Sequence, residues 1–420
     1  MKVSNQIQSK GLQRIFFFAM CICVCALSWS IFLMSISTII LGIIIFFKED
    51  HEGVGLISKL DFFNITKEIF KEPIPGWIIV YYLSVVISGF WSTDKLLWLD
   101  QLRIQLPILV FPLAFIAHGK LARKDIELIT FIGIISLWIV SIQVLWNYLN
   151  HYSEMNLALL KGIPIETPIS HVRFSLIIAC AILLLVDRLL SKTSIKYSAT
   201  DIFIIFLILF FFVLIHVLSV KSGILGLYIG IIVYLLVFAF KRKKYSILVI
   251  GLGLTIVVVG ILFYLSPSLQ NKYYYTIWQI GEFSRGKWLY YSDLERLKSI
   301  EMGWEMIKLH PILGSGIGDM HSVTEKTYLE HLNHRLIKYP HNQFIYSWAF
   351  CGIFSILSLV GIFWASFIRR GSFRIEISVA ALAVIWSSFL YEHTLASQAG
   401  ISLFLTISLL AWSRQKSNTI

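Results

Sequence analysis

Long apolar stretches follow one another along most of the chain, and each is close to the length of a membrane-spanning helix. A helix needs about 17 to 25 apolar residues to cross the hydrocarbon core of a bilayer, and it satisfies its backbone hydrogen bonds within its own segment. We place spans at residues 12–28, 30–47, 75–92, 97–117, 126–149, 169–190, 201–219, 222–240, 245–265, 342–367, 375–391 and 398–413. The pattern predicts an all-α polytopic membrane protein with about twelve transmembrane helices, in which residues 1–420 form a single membrane domain.

Two polar connections interrupt this pattern. Residues 48–74 carry charges of both signs and are predicted to form an interfacial connector. Residues 267–341, between the ninth and tenth spans, contain nine Lys or Arg and eight Asp or Glu residues. Long loops inside compact proteins are commonly functional. This loop is therefore the expected place for part of an active site.

Inside this loop, residues 292–309 have the apolar periodicity of an amphipathic helix, and Arg296 lies on the same stripe as the apolar residues. The helix should end before Pro311. The glycine-rich segment 314–318 that follows predicts a flexible turn. Its G-x-G-x-G pattern has no preceding strand and no following Lys-Ser or Lys-Thr, so it does not indicate a nucleotide site.

Charge is scarce and unevenly distributed. Charged residues make up 14% of the chain and the formal net charge is +12, whereas a soluble domain has roughly 25% charged residues. Basic residues cluster in alternate connections: Lys120, Arg123 and Lys124; Arg188, Lys192 and Lys196; Lys241, Arg242, Lys243 and Lys244; Arg369, Arg370 and Arg374; Arg414 and Lys416. This alternation is the positive-inside pattern. It places both termini and these clusters in the cytoplasm, where they orient the chain near anionic lipid, and no nucleic-acid partner is expected.

The same alternation predicts which connections face outward. The outward-facing segments are 92–96, 150–168, 219–222, 267–341 and 392–397.

Basic side chains gather at this predicted outer face. Lys221 lies in the short turn between spans seven and eight, Arg103 in the first turns of span four, and Arg173 near the start of span six. Burying an arginine against lipid is costly, so Arg103 and Arg173 should face a polar cavity, a carboxylate or the headgroups, which they can reach by snorkelling. Together with Arg296, these side chains could form a cation cluster for a diphosphate, whose oxygens guanidinium groups bind bidentately.

His341 stands where the long loop re-enters the membrane, and Asn342 and Gln343 follow it. A free histidine side chain has a pKa of about 6.5, which suits a base that activates a hydroxyl. Asn342 is expected to begin the tenth span, and Gln343 to orient a substrate. The alternative interpretation of His341 is an interfacial side chain without chemistry.

Metal binding is a competing use of His341. Together with His331 and His334 it could form a three-ligand zinc site. The spacing is weak, and no D-x-D pair of carboxylates stands in an outer segment to hold Mg²⁺ or Mn²⁺. We therefore predict no metal and no cofactor. Glu392 and His393, in the last outer turn, are interpreted as interface residues, although they could line the same cavity.

The region 296–352 combines three motifs. An arginine opens a Trp-bearing helix, the segment His-Pro-Ile-Leu-Gly-x-Gly-x-Gly follows, and His-Asn-Gln then precedes an apolar helix with an early glycine. This region resembles the signature region of the O-antigen ligase family, which includes O-antigen ligase and O-antigen polymerase. The predicted topology is also similar to that family, with twelve helices, cytoplasmic ends and a large periplasmic loop between helices nine and ten.

The resemblance implies a metal-independent, inverting glycosyltransferase at the periplasmic face of a bacterial inner membrane, with undecaprenyl diphosphate as the glycan carrier. His341 resembles the family histidine thought to activate the acceptor hydroxyl, and Arg296 the loop arginine that contacts the lipid-linked diphosphate. Lys221 falls where the family usually has an arginine, so it keeps the charge but lacks the bidentate fork. Arg103 and Arg173 fit further diphosphate contacts.

The implied partners are the undecaprenyl-diphosphate-linked glycan, a lipid or glycan acceptor, and membrane lipids. We expect O-antigen ligation to lipid A core; O-antigen polymerisation and protein-directed transfer differ in their acceptor and stay open. A transporter is the alternative from another class, because its intramembrane charges would line a permeation path. It would show paired repeats with matching broken helices, which we do not find in the sequence. A scaffolding protein would leave the arginine and histidine positions unexplained.

Overall fold

The computed structural model describes residues 10–50, 53–119, 121–190, 198–285, 287, 292–368 and 376–417. The fold is nearly all α, with 82% of the residues in helices, which confirms the predicted class. Several basic residues of the predicted cytoplasmic clusters lie outside the described part of the chain: Lys120, Lys192, Lys196, Arg369, Arg370 and Arg374.

The helices follow one another with short connections. The first half contains α1 (Lys10–Ala26), α2 (Ile31–Ile44), strands β1 (Phe47–Asp50) and β2 (Gly53–Leu56), α3 (Lys59–Lys71), α4 (Pro73–Ser88), α5 (Lys95–Gln105), α6 (Pro107–His118), α7 (Arg123–Asn150), α8 (Tyr152–Leu160) and α9 (His171–Leu190). The second half contains α10 (Ala199–Leu218), α11 (Lys221–Arg242), α12 (Tyr245–Leu265), α13 (Pro267–Ser284), α14 (Ser292–Leu309), α15 (Met320–Leu332), α16 (Gln343–Cys351), α17 (Ile353–Phe363), α18 (Glu376–Ser388) and α19 (Gln398–Ser417). Short 3₁₀ turns cover Ile317–Asp319 and Thr394–Ala396, and a π-helical turn covers Trp364–Ile368.

Each predicted span coincides with one helix or with two consecutive helices. In the described part of the chain, five helices are long and apolar enough to cross a membrane: the α5 and α6 pair, α7, α10, α11 and α12. A sixth span results if α3 and α4, between which the chain bends by 105°, count as one bent span. Helices α1, α2, α17 and α18 are apolar but shorter. The number of twelve spans therefore stays a prediction.

Two predicted spans are interrupted. Pro107 starts α6, and because proline has no backbone N–H to donate, the helical hydrogen bonds break between α5 and α6. The predicted span 342–367 divides at Gly352. Its φ is +75°, a value that does not occur inside a right-handed α-helix. The apolar pattern alone gives no sign of either break.

Residues 48–50 and 53–74 of the connector form two strands, helix α3 and the start of α4. Strands β1 and β2 form an antiparallel hairpin that pairs Phe47 with Leu56. Ser58 then caps α3, because its hydroxyl accepts from the backbone N–H of Asp61 at 3.1 Å and the Asp61 carboxylate accepts from the backbone N–H of Ser58 at 2.9 Å. Lys48 binds Asp61 at 3.0 Å and joins the hairpin to the helix.

Helix α11 packs between α9 and α18. A Cβ atom on Gly223 would lie 2.2 Å from the Cβ atom of Ser175 on α9, and one on Gly230 would lie 2.8 Å from Val384 on α18. Glycine at these positions lets the backbones approach each other closely. The close contact at Gly223 places the first turn of α11, with Lys221, beside the first turn of α9.

The predicted outer loop is a layer of helices. It consists of α13, α14, the 3₁₀ turn Ile317–Asp319 and α15, of which only α14 is evident from the sequence. The observed bounds of α14 agree with the prediction.

The glycine-rich segment is tightly packed, so the prediction of a flexible turn is wrong. Gly314 has φ +71°, and a Cβ atom there would lie 2.6 Å from the backbone nitrogen of Gly352. The backbone N–H groups of Ser315 and Gly316 donate to the carbonyls of Ala349 and Phe350 at 2.8 and 3.0 Å. The segment thus fills the space beside the break between α16 and α17.

The predicted outer segments meet at one end of the helix bundle. The carboxylate of Asp319 accepts hydrogen bonds from the backbone N–H groups of Thr93 and Asp94, both at 3.0 Å. Asn271 donates to the carbonyl of Asn156 at 3.2 Å. The shared location supports the predicted grouping of these connections on one face.

Candidate functional site

Three basic side chains converge on the carboxylate of Glu392, in the turn after α18. Arg296 Nη2 lies 3.0 Å from Oε1, Arg173 Nη1 lies 3.5 Å from Oε2, and His341 Nδ1 lies 3.7 Å from Oε2. The Glu392 side chain is only 4% exposed. Because a buried carboxylate is costly unless it is paired, these four residues act as one unit, which we call the Glu392 cluster.

Arg173 enters this cluster from α9. Its side chain is 11% exposed, and Nη1 also donates to the hydroxyl of Ser170 at 3.5 Å. Among the three environments expected for this arginine, the structure shows a carboxylate partner. The pairing with Glu392 explains how a guanidinium is tolerated in the first turn of an apolar helix.

Helix α14 fixes Arg296 and His341 relative to each other. The backbone N–H of His341 donates to the Ser299 hydroxyl at 3.0 Å, and that hydroxyl donates to the carbonyl of Arg296 at 2.7 Å. Gly303, one turn further on, allows Pro340 to approach the helix, since a Cβ atom there would lie 2.7 Å from the proline ring. The segment before His341 is thereby held against the helix that carries Arg296.

Asn342 begins α16, as predicted, and also ties the helix to the Glu392 turn. Its Oδ1 accepts from the backbone N–H groups of Phe344 and Ile345 at 3.0 and 3.1 Å, as an N-cap residue does. Its Nδ2 donates to the carbonyl of Leu390 at 3.1 Å. One side chain therefore both caps the helix after His341 and holds the chain just before Glu392.

Gln343 is completely buried, and its side chain forms hydrogen bonds within the protein; substrate orientation by Gln343 stays a prediction. Its Nε2 donates to the hydroxyls of Ser347 and Tyr81 at 2.8 and 3.2 Å. Its Oε1 accepts from the backbone N–H of Leu395 at 2.6 Å. The two residues after His341 thus hold both sides of the turn that carries Glu392.

The charges around Glu392 keep it ionised. Burial alone would raise the pKa of its carboxyl, but the neighbouring His341, Arg296 and Arg173 outweigh burial and lower the pKa to about 2. Burial, together with the nearby His341, lowers the pKa of His393 to about 4. At neutral pH the cluster therefore presents a carboxylate beside a neutral His393.

Lys221, the first residue of α11, contacts α14 one turn before Arg296. It forms an ion pair with Asp293, which precedes Arg296 by three residues. Lys272 of α13 also belongs to this region: burial lowers its pKa, while the Asp293 carboxylate opposes that shift. Two lysines and Arg296 thus flank Asp293, and the cationic surface extends from Glu392 toward α13.

A comparison with protein families identifies the central part of the chain. Residues 204–360 match the family model described as O-antigen ligase. The resemblance to the O-antigen ligase family is thereby confirmed for this segment. No curated protein matches the chain. The family points to a membrane glycosyltransferase activity of the O-antigen ligase type and to a multi-pass inner-membrane protein.

The O-antigen ligase segment contains only part of the Glu392 cluster. Arg296 and His341 of the cluster, and the neighbouring Lys221, lie within residues 204–360. Arg173 and Glu392 lie outside it, on α9 and after α18. The site therefore depends on contacts between the matched segment and the helices on either side of it.

Arg103 has a different environment. Its Nη2 binds Asp100, one turn earlier on α5, at 2.7 Å, and its side chain is 77% exposed. Helix α5 packs against the 3₁₀ turn Thr394–Ala396, close to Glu392 in the chain. Among the described contacts, none joins Arg103 to Glu392. A diphosphate contact by Arg103 stays a prediction.

The structure groups a different set of possible metal ligands from the set suggested by the sequence. Within the described part of the chain, His341, Glu392 and His393 offer ligand atoms within 4.8 Å of one another, and His331 and His334 do not join them. Both carboxylate oxygens of Glu392 already face arginines. A divalent cation there would lie close to two fixed positive charges, so this set suits an anion better than a metal.

Sequence reasoning identified the cations of this site but not their shared partner. The interpretation of Glu392 as an interface residue misses that Arg173 and Arg296 both converge on its carboxylate. The sequence contains an indication of this partner. A buried arginine requires a counter-ion, and Glu392 is the acidic residue of the outer segment 392–397. Lys272 gave no such signal, because its position beside Asp293 depends on how α13 folds back.

Proposed function

We propose that this chain transfers a glycan from undecaprenyl diphosphate to an acceptor hydroxyl, and that the reaction is O-antigen ligation to lipid A core. The site lies on the periplasmic face of the inner membrane, and both termini lie in the cytoplasm. The match to the O-antigen ligase family supports the reaction class. The convergence of Arg173, Arg296 and His341 on Glu392 supports the chemistry.

The two arginines supply the donor site. A diphosphate is a good leaving group if cations stabilise the negative charge that develops on it. Arg296 keeps 31% of its side chain exposed, so it can turn donors toward a ligand while Glu392 holds its position. Arg173 lies deeper and orients the carboxylate. Lys221 and Lys272 extend the cationic surface along which a second phosphate can bind.

His341 supplies the base. Its side chain is 20% exposed, which lets one ring nitrogen face an acceptor. His341 takes the proton of the acceptor hydroxyl as the hydroxyl oxygen attacks the anomeric carbon of the donor sugar. The bond from that carbon to the diphosphate breaks, and its electron pair leaves with the diphosphate oxygen. A single displacement of this kind inverts the anomeric configuration.

Glu392 compensates the charge that this step creates. When His341 becomes positively charged, a carboxylate 3.7 Å from its Nδ1 stabilises the imidazolium. The same carboxylate keeps Arg173 and Arg296 together when no donor is bound. The proposed reaction uses no metal, and the guanidinium groups take over the stabilisation of the leaving diphosphate.

Deletion of the gene, followed by glycolipid analysis, tests the proposal. Accumulation of full-length polymer on undecaprenyl diphosphate supports ligation, whereas accumulation of single repeat units shows polymerisation instead. Unchanged glycolipids would exclude both reactions and would favour transport or scaffolding.

Complementation of the deletion strain then tests the site. His341→Ala should fail to restore transfer although the protein is present in the membrane at the wild-type level. The matched control is His331→Ala, because His331 is an exposed histidine of α15 and lies outside the cluster. Full transfer by His341→Ala would show that His341 is not the base.

A further inference from the structure

A second charged region lies at the end of the bundle opposite the Glu392 cluster. A cavity of about 330 Å³ opens between α7, α9, α10 and α19, and Arg123, Lys124, Arg188 and Arg414 line it. Arg188 follows Arg173 by fifteen residues on α9, which corresponds to about 22 Å along the helix axis. The cavity is therefore distinct from the proposed catalytic site.

Positive charge exceeds negative charge at this cavity. Four basic side chains line it, against the two carboxylates Glu127 and Asp187. Arg123 Nε and Arg188 Nη1 bind the two oxygens of Glu127 at 2.9 and 2.8 Å. Asp187 forms an ion pair with Arg414 of α19 at 3.0 Å. Each guanidinium has five N–H donors, and these pairs with Glu127 use one nitrogen of each. Arg123 and Arg188 can therefore bind a further anion together with Lys124.

The inner wall of the cavity is apolar. Ile134 and Leu184 line it, and both also line a second cavity of about 100 Å³ that continues to Leu27 of α1 and Leu137 of α7. Basic groups thus stand at the mouth, and an apolar passage leads from them toward the middle of the bundle. A soluble phosphate would contact only the basic side chains, whereas a phospholipid would contact them with its headgroup and the apolar passage with an acyl chain.

We propose that this cavity binds an anionic phospholipid. Its phosphate headgroup lies between Arg123, Lys124 and Arg188, and one acyl chain lies along Ile134 and Leu184. Basic pockets between transmembrane helices on the cytoplasmic side are known to favour anionic headgroups. A lipid in this position would hold α7, α9 and α10 together at the end of the bundle that lies away from the Glu392 cluster. The inference is independent of the glycan-transfer reaction.

Lipid titration of the purified full-length protein in detergent, followed by native mass spectrometry, tests the proposal. Phosphatidylglycerol should bind more tightly than phosphatidylcholine with the same acyl chains. The double variant Lys124→Gln/Arg188→Gln should weaken phosphatidylglycerol binding about 30-fold, since each basic residue near the surface contributes to anionic lipid binding. Leu184→Trp, which fills the apolar wall, should weaken the binding of both lipids at the site.

The matched control is Lys243→Gln/Lys244→Gln, which removes the same charge from the exposed turn between α11 and α12 and should leave binding unchanged. Equal affinity of the wild-type protein for the two lipids would overturn the proposal without any variant. An equal loss in the control would also overturn it, because it would show general surface attraction. Displacement of phosphatidylglycerol by millimolar inorganic phosphate, with Leu184→Trp binding normally, would identify a free-phosphate site instead.

Discussion

The amide oxygen of Gln343 accepts a 2.6 Å hydrogen bond from the backbone N–H of Leu395, across 52 positions of sequence. This bond connects the first residue of α16 to the turn that carries Glu392. Asn342 makes a parallel connection to Leu390. In the His-Asn-Gln motif, His341 therefore lies in the site, and Asn342 and Gln343 position the carboxylate of Glu392.

Replacement of this amide should impair catalysis without removing any group that contacts the substrate. Gln343→Leu leaves the N–H of Leu395 without its buried partner, which costs about 1 to 3 kcal/mol, and lets the Glu392 turn shift. A displacement of 1 Å can cost about 100-fold in rate, so we expect kcat to fall at least about tenfold while the donor KM changes less. Steady-state kinetics in proteoliposomes measures this split.

Gln270→Leu is the control for this variant. Gln270 is a half-buried glutamine whose amide donates to two carbonyls at the end of α12, away from the Glu392 turn, so kcat should stay near the wild-type value. A rise in KM at constant kcat in Gln343→Leu would contradict a positioning role and would indicate direct substrate contact.

Arg173 and Arg103 should respond differently to substitution by alanine. Arg173→Ala leaves the buried Glu392 with one arginine, so transfer should fall about 100-fold and stability should also fall, because breaking a buried pair costs about 3 to 5 kcal/mol. Arg103→Ala removes an exposed ion pair worth about 0.2 to 1 kcal/mol. Its melting temperature should hardly change.

The kinetics of Arg103→Ala decide its predicted diphosphate contact. An increase in donor KM at unchanged stability would support that contact, whereas wild-type kinetics would restrict the donor site to the Glu392 cluster and its neighbouring lysines. Equal loss of stability in the two variants would contradict the difference in burial on which this prediction depends.

Long apolar stretches are sufficient to locate the helices of the bundle, because a lipid-embedded helix must be apolar over most of its length. The breaks at Pro107 and Gly352 were not predictable in the same way. A proline is tolerated within many membrane helices, and the break at Gly352 depends on its contact with Gly314, 38 positions earlier in the chain. Local sequence does not contain that contact.

The helical layer after α12 was also only partly predictable. Helix α14 has a regular apolar stripe, whereas α13 has a run of three tyrosines near its middle and α15 is largely polar. Their helical structure depends on packing against α8, α12 and α14. The cations of the site could be predicted because charge inside a membrane is rare. Their arrangement around Glu392 could not, since it joins segments that are far apart in sequence.

The contact between Gly314 and Gly352 should be sensitive to a single methyl group. Gly314→Ala forces alanine into a positive φ, at a cost of about 1 to 2 kcal/mol, and puts its Cβ atom 2.6 Å from a backbone nitrogen. We expect a clear decrease in melting temperature in detergent. Gly281→Ala is the control, because no heavy atom lies within 4 Å of a Cβ atom there and alanine favours the helix. Equal melting temperatures of the two variants would contradict the packed turn.

The ionisation of Glu392 predicts a specific dependence of stability on pH. Its pKa is about 2 in the folded protein, against 4.5 for an unperturbed carboxyl. A lowered pKa means that the unfolded state binds the proton more readily, so the stabilisation is complete above about pH 4.5 and is lost as the pH falls toward 2. The melting temperature of the wild-type protein minus that of Glu392→Gln should therefore decrease as the pH falls below 4.5. Because the Glu392 charge also raises the pKa of His393, which is about 4, His393 takes up its proton more readily in the folded wild-type protein than in the variant, which offsets only part of this decrease. Glu301→Gln serves as the control, because Glu301 is 53% exposed in its ion pair with Lys298, and its difference from the wild type should be small throughout. A difference that does not decrease below pH 4.5 would contradict a lowered pKa of Glu392.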